Sequence, residues 1–293
     1  MQSKKAFWKL ASLLPLSFIL FLSGCDMKLA VLNPQGPNAQ SLKDLIGWSF
    51  WLMLVIIVVV FTLFTIIIIK YRETPENMGY EPPDQHGNTL LEIIWTLVPV
   101  IIVIALAIPT VKTTYALEKP PESTKDKKPI EIYVTSANWK WLFSYPEEGI
   151  ETVNYLKIPE DTPIKFKLTS VGPMNAFWVP ELGGMKYTMD DMVMDLYLQA
   201  DHPGDYLGRS ANFSGKGFAD MEFTAEAETQ EGYEKWVKEV KGTASKLTKE
   251  KYNEIIEPGL VGRMTFSSNH LNYVDPDSLE YCDYNYYKDK NKK

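Results

Sequence analysis

Residues 45–69 read LIGWSFWLMLVIIVVVFTLFTIIII, 25 positions without a charged side chain. As a helix rising about 1.5 Å per residue the stretch more than spans the ~30 Å hydrocarbon core of a bilayer. Trp48 and Trp51 stand at its first end, and Lys70, Tyr71 and Arg72 follow its last. Those flanks fit an interfacial aromatic belt and a cytoplasmic basic cluster. The run is too long for an ordinary buried helix, so the chain is read as anchored in a membrane.

A second uncharged run, Ile93 to Val111, contains Pro99 and Pro109. Proline removes an amide donor and kinks a helix, which a membrane bundle accommodates. Two spans are therefore expected, at about 45–69 and 92–111, joined by a short loop. Glu92 stands at the mouth of the second span. A carboxylate at a helix centre costs ~2.5–3.5 kcal/mol, and less near an interface. Glu92 is thus either an interfacial anchor or a proton-path carboxylate, and both readings stay open on the sequence.

Outside the spans the composition is ordinary. A net charge of −7 gives no basic face for nucleic acid. Three histidines and two cysteines leave little material for a metal centre. Residues 1–24 carry Lys4, Lys5 and Lys9, then a short apolar core, and end in LSGC at Cys25. That is the pattern of an export signal, and it resembles the bacterial lipobox, at which the signal is cut and Cys25 is lipidated. An exported Cys25 puts residues after Lys112 on the outer face and makes the protein a multi-pass, lipid-anchored component of a bacterial cell membrane. Cys282, in the polar tail, has no partner for a disulfide and reads as a bystander.

Residues 25–112 thus hold an N-terminal tail and the hairpin, and 113–128, with KPPESTKDKK, a linker. From 129 to 228 the pattern is β-like: PIEIYVTSA, PIKFKLTSV, VMDLYLQA and ADMEFTAEA run to strand length between Gly, Pro, Asn and Asp clusters. A small sandwich or barrel is expected there. Residues 229–293 begin as an amphipathic helix and end in a polar, aromatic-rich tail that wraps a surface. NWKWLF places Trp139 and Trp141 on one face of a strand, as core or as an exposed pair. No phosphate loop or nucleophile elbow occurs, so no catalytic residue is expected in this chain.

The loop RSANFSGKGFADM, residues 209–221, has the glycine punctuation of a ligand loop but holds neither cysteine nor histidine. In one order along the chain come the lipobox, the hairpin with LLEIIWTLVP, the WKW strand, FWVPELGG and this loop. That order resembles subunit II of the haem–copper terminal oxidases over nearly the whole length. The resemblance implies a two-helix transmembrane hairpin carrying an all-β, cupredoxin-like Greek-key barrel outside the cell, with a helical C-terminal extension. In the cytochrome c oxidases that barrel holds a dinuclear copper centre fed by cytochrome c.

Carried over residue by residue, the family's first histidine place is Asn175, and its two cysteine places are Ser210 and Ser214. The glutamate place between them is Asn212, the second histidine place is Phe218, and Met221 alone keeps the family residue. Thiolates and imidazoles bind soft copper; these side chains do not replace them, so no metal is expected in the chain. The pattern resembles that of the quinol oxidases and is close to that of the four-subunit enzymes of Gram-positive bacteria. The resemblance then implies haems, copper and the quinol site in subunit I, where dioxygen is reduced to water and protons are pumped. The expected partners are subunit I, subunits III and IV, and membrane lipid, with quinol reached through subunit I and no cytochrome c. Trp139 and Trp141 match the family's aromatic patch for electron transfer, reduced here to packing. Two rivals stay open: a cytochrome c oxidase with atypical copper ligands, and a non-redox scaffold lipoprotein.

Overall fold

The computed structural model describes residues 29–75, 78–81, 87–190 and 192–273. Cys25, Cys282 and the tail beyond Tyr273 lie outside the described residues. Helix α1, Pro37–Tyr71, starts well before the apolar run, with Pro37 in its first turn, where proline's fixed φ suits a helix. Helix α2, Thr89–Leu117, is capped by Asn88, whose side chain accepts from the amides of Leu90 and Leu91. It runs on through the start of the expected linker. The two pack as a hairpin with outward faces almost wholly apolar and exposed, as lipid-facing surfaces require. Pro109 cannot donate to the carbonyl of Ala105, and the Trp48 indole N–H donates to that carbonyl instead, at 3.3 Å. A residue of the aromatic belt thus satisfies a carbonyl that proline frees.

Above the hairpin lie, among the described residues, eleven strands: β1 Ile130–Ala137, β2 Lys140–Tyr145, β3 Ile150–Val153, β4 Tyr155–Pro159, β5 Ile164–Val171, β6 Asn175–Trp178, β7 Lys186–Thr188, β8 Met194–Leu198, β9 Gly204–Ser210, β10 Glu222–Glu228 and β11 Met264–Phe266. One sheet has the order β11-β3-β2-β1-β5-β8 and the other β4-β10-β9-β6-β7. The β1–β5 and β4–β10 pairs are parallel and the rest antiparallel. Strands that neighbour others far along the chain are the Greek-key signature, and the domain is a cupredoxin-like barrel. Between the sheets Phe177 stacks on Phe223 at 5.1 Å, with Trp141 edge-on to Phe177 at 5.4 Å. Such aromatic pairs add to simple area burial.

The barrel is tied to the membrane helices by backbone as well as side chains. The amide of Gln35 donates to Glu181 O at 2.7 Å, and its carbonyl accepts from Asp201 at 2.9 Å. Asn38 donates to the carbonyl of Tyr197, and Thr124 to the Gln199 side chain. The FWVPELGG turn is therefore the seat on which the hairpin's outer end rests.

The C-terminal region is more than one amphipathic helix. Helix α3, Gln230–Thr243, and helix α4, Lys249–Ile256, each start on a capping threonine, Thr229 and Thr248. Strand β11 then joins the first sheet beside β3. Leu247, Tyr252, Ile255, Ile256 and Phe266 cover Ala137, Leu142, Val153 and Val171, closing a second small core on the outside of that sheet. A three-residue strand is too short to show a period, which is why the sequence pattern misses it.

Candidate functional site

The loop between β9 and β10 brings the ligand-place residues to one end of the barrel. Asn175 opens β6 and is fully buried; its amide donates to Ser136 Oγ at 3.2 Å and to the carbonyl of Pro173 at 2.9 Å. Ser210, the last residue of β9, is buried beside it and donates to Asn175 Oδ1 at 3.4 Å. Its hydroxyl also lies 3.2 Å from the carbonyl of Asn212 and accepts from the amide of Ala176. The Asn212 amide reaches back to Met174 O at 3.0 Å. Behind them Ser136, Ser170 and Thr188, all buried, link the two sheets through hydroxyls at 2.9 and 2.7 Å. Neutral hydrogen bonds thus occupy the donors of Asn175 and Ser210.

Phe218 packs its ring edge-on against Phe213 at 5.5 Å. Met221 is buried in the aromatic core, and its carbonyl accepts from the amide of Ser210 and from the Trp141 indole. Ser214 Oγ is buried and lacks a hydrogen-bond partner among the described residues. Hydrogen bonds join Asn175, Ser210 and Asn212 and tie Ser210 to the Met221 carbonyl, but the arrangement does not fit copper. It offers two hydroxyls, two amides, a phenyl ring and a single thioether where thiolate and imidazole would be needed. Among the described residues no group of three His, Cys, Asp or Glu side chains converges elsewhere.

The two tryptophans do not share a strand face. Ala137 pairs with Lys140, so Asn138 and Trp139 form the two-residue turn between β1 and β2, and Trp139 has φ of 66°. The alternation that puts residues two apart on one face holds only within a strand. Trp141 therefore points into the core, while Trp139 folds over the ligand loop and donates to Ser214 O at 3.1 Å. A Cβ on Gly217 would come within 2.5 Å of the Trp139 ring. The glycine is kept because an indole lies on it.

The chain as a whole is similar to known proteins. Residues 25–113 match the family model described as cytochrome C oxidase subunit II, transmembrane domain. A Bacillus anthracis protein named quinol oxidase subunit 2 is 78% identical over 99% of this chain and 100% of its own length. A Bacillus subtilis protein of the same name is 53% identical over 89% of this chain and 81% of its own. The chain belongs to the quinol oxidase subunit 2 family. The crystal structure of the periplasmic domain of subunit II of cytochrome oxidase from Bradyrhizobium japonicum is 20% identical, covers 40% of this chain and 96% of that one, and superposes with a TM-score of 0.38. As a quinol oxidase subunit 2 this chain is part of a membrane-bound oxidoreductase complex of the haem–copper oxidases, with an extracytoplasmic domain.

Glu92 lies in the first turn of α2, far from the ligand loop in sequence, where a carboxylate complements the positive helix end. It is exposed on the surface of this chain.

Sequence reasoning missed a second polar cluster, at the seam with the C-terminal extension. Glu151 on β3 and His270 are both fully buried, with His270 Nδ1 2.7 and 2.8 Å from the two carboxylate oxygens. The backbone amide of His270 and the Ser144 hydroxyl each donate to Glu151 at 2.9 Å, and the Tyr252 ring stacks on the imidazole at 4.6 Å. Nearby, Lys140 is fully buried and donates to the carbonyls of Ile255 and Glu257 at the end of α4. Burial lowers its ammonium to about 8, while Glu257 opposes that shift. Glu151 and His270 lie 119 residues apart, and Lys140 lies 115 and 117 from its two carbonyls, so no local motif announces the cluster.

Proposed function

We propose that this chain is the cofactor-free second subunit of a proton-pumping quinol:oxygen oxidoreductase of an aerobic respiratory chain. Its barrel carries no dinuclear copper, and electrons pass from quinol to haem within subunit I without crossing it. The observation that carries this reading is the ligand loop, where Asn175, Ser210 and Asn212 are bonded to one another and to backbone, and Trp139 covers the glycines. Such a loop can brace a subunit boundary, and it cannot pass an electron on from a soluble cytochrome. Haems, copper and quinol belong to subunit I, with subunits III and IV completing the complex and no contact with cytochrome c. Trp139 and Trp141 serve packing.

In this reading residues 1–24 are removed and Cys25 carries lipid. Acyl chains do not approach the effectively irreversible insertion of a membrane-spanning helix, so the two spans supply most of the anchoring. Glu92, near the inner surface, is placed on the proton-uptake side facing a neighbouring subunit.

Copper and substrate choice test the proposal together. The purified complex is expected to contain only the copper of subunit I and no near-infrared dinuclear band, and to turn over with quinol but not with reduced cytochrome c. Two extra coppers per complex, or brisk turnover on the soluble cytochrome, would overturn it. For Glu92, Glu92→Gln in the assembled complex is expected to slow turnover and proton uptake; unchanged rates would leave the carboxylate a membrane anchor.

A further inference from the structure

The outer third of α1 carries an open groove, one of whose lining residues, Trp48, also bonds to the second span. The groove, of about 640 Å³, has Lys43 and Asp44 at its mouth, Ile46, Gly47, Trp48, Phe50 and Trp51 along its walls and Leu32 at the top; Asp44 accepts from the Gln40 side chain at 2.8 Å. Its apolar walls are open: Trp51 is 65% exposed, Phe50 61% and Leu32 44%. Gly47 lies in the middle of this helix, where glycine weakens helical structure. A Cβ there would meet no atom within 4 Å, so no packing within the chain requires the missing side chain. The space beside Gly47 is open to an occupant from outside the described residues.

The approach of the N-terminal segment indicates what that is. A short 3-10 turn, Ala30–Leu32, brings the chain against α1 at the head of the groove. Cys25 lies only four residues before Leu29, a distance of at most about 14 Å for extended chain. From Lys43 to Trp51 the groove descends about 12 Å along the helix, into the outer leaflet. We propose that this groove seats the acyl chains carried on Cys25, with Lys43 at its mouth beside their ester and amide carbonyls. Free lipid would meet the same walls, but only a tethered chain arrives beside Leu32. The proposal rests on the lipidation of Cys25 argued above and adds where the lipid lies. Its role is to pin the N-terminal strap, residues 33–38, which holds the barrel on the hairpin.

Cells supplied with an alkyne-tagged fatty acid bearing a diazirine would yield the assembled oxidase for irradiation and peptide mass spectrometry. Crosslinks tethered to the Cys25 peptide are expected to fall mainly on Ile46–Trp51. Gly47→Leu, whose Cβ meets no atom within 4 Å, should cut their yield several-fold while quinol turnover stays unchanged. If Cys25 is acylated but its crosslinks fall chiefly on α2 or another subunit, the seat is wrong and the anchor stands. If the Cys25 peptide carries no acyl group, both fall.

Discussion

The barrel has two polar clusters, and they are built on opposite principles. At the ligand-loop end Asn175, Ser210 and Asn212 make neutral hydrogen bonds to one another and to backbone. At the seam with the C-terminal extension, fully buried charge-bearing groups are used: Glu151 against His270, and Lys140 against the last carbonyls of α4. Neutral pairs are worth about 1 kcal/mol each and can be exchanged singly. A buried ionisable group left without its partner is costly. The first end could therefore change its ligands residue by residue and keep its shape, whereas the seam is locked and fixes where the extension docks.

The sharpest way to break this contrast is Glu151→Ala. Removing the carboxylate leaves His270, the Ser144 hydroxyl and a backbone amide without it, and a loss of about 3–5 kcal/mol is expected. Chaotrope unfolding of the outer domain would measure the loss. Hydrogen exchange should rise across residues 249–273 before it rises in β1 or β5. A drop below 1 kcal/mol would show the seam to be no stronger than the loop end.

Lys140 adds a pH signature that the loop end cannot produce. Its folded-state value of about 8 lies below the 10.5 of the free side chain. Between those values the unfolded chain holds a proton that the folded one has lost, so stability rises with pH across that window. Burial pushes the Tyr145 phenol the other way, well above 10, so above about pH 10 the unfolded chain loses that proton first and stability falls. The clean window is therefore pH 8 to 10. Lys140→Met is expected to flatten the rise there and to cost roughly 1–3 kcal/mol at neutral pH through the two carbonyls left unpaired. An unchanged slope would remove Lys140 from the account.

These two clusters also mark what the sequence could and could not disclose. The hairpin was legible because 25 uncharged residues admit one reading, and β1, β5, β8 and β10 because each carries a strand-length apolar pattern. Of the ligand-place residues, Asn175, Ser210 and Asn212 share hydrogen bonds at one end of the barrel, with the Met221 carbonyl beside them. Trp139 was misplaced because a two-residue turn interrupts the alternation between it and Trp141. The seam was invisible, since Glu151 and His270 are 119 residues apart and each looks like a surface residue in its own segment.

At the loop end the Trp139 clamp can be forced open. Gly217→Ala puts a methyl within 2.5 Å of the indole, which has to move off the loop. Overpacking of this kind costs about 1–3 kcal/mol, toward the low end here because Trp139 is only half-buried. Trp139 emission should shift to the red, with Trp141 unaffected in the core. Emission that does not move would mean the clamp is not closed in solution.

The smallest effects separate two serines of the same loop. Ser210 donates and accepts within the network, so Ser210→Ala is expected to cost about 1 kcal/mol. Ser214 Oγ is buried with no partner among the described residues, and an unsatisfied hydroxyl is a liability in place. Ser214→Ala should be neutral or stabilise by up to about 1 kcal/mol, read from the unfolding midpoint at unchanged m-value. Opposite signs at two positions four residues apart would mean that one ligand place has been rebuilt into the network while the other has been left as a remnant. Equal costs would mean that Ser214 too has found a partner, and that the whole loop is braced as one unit.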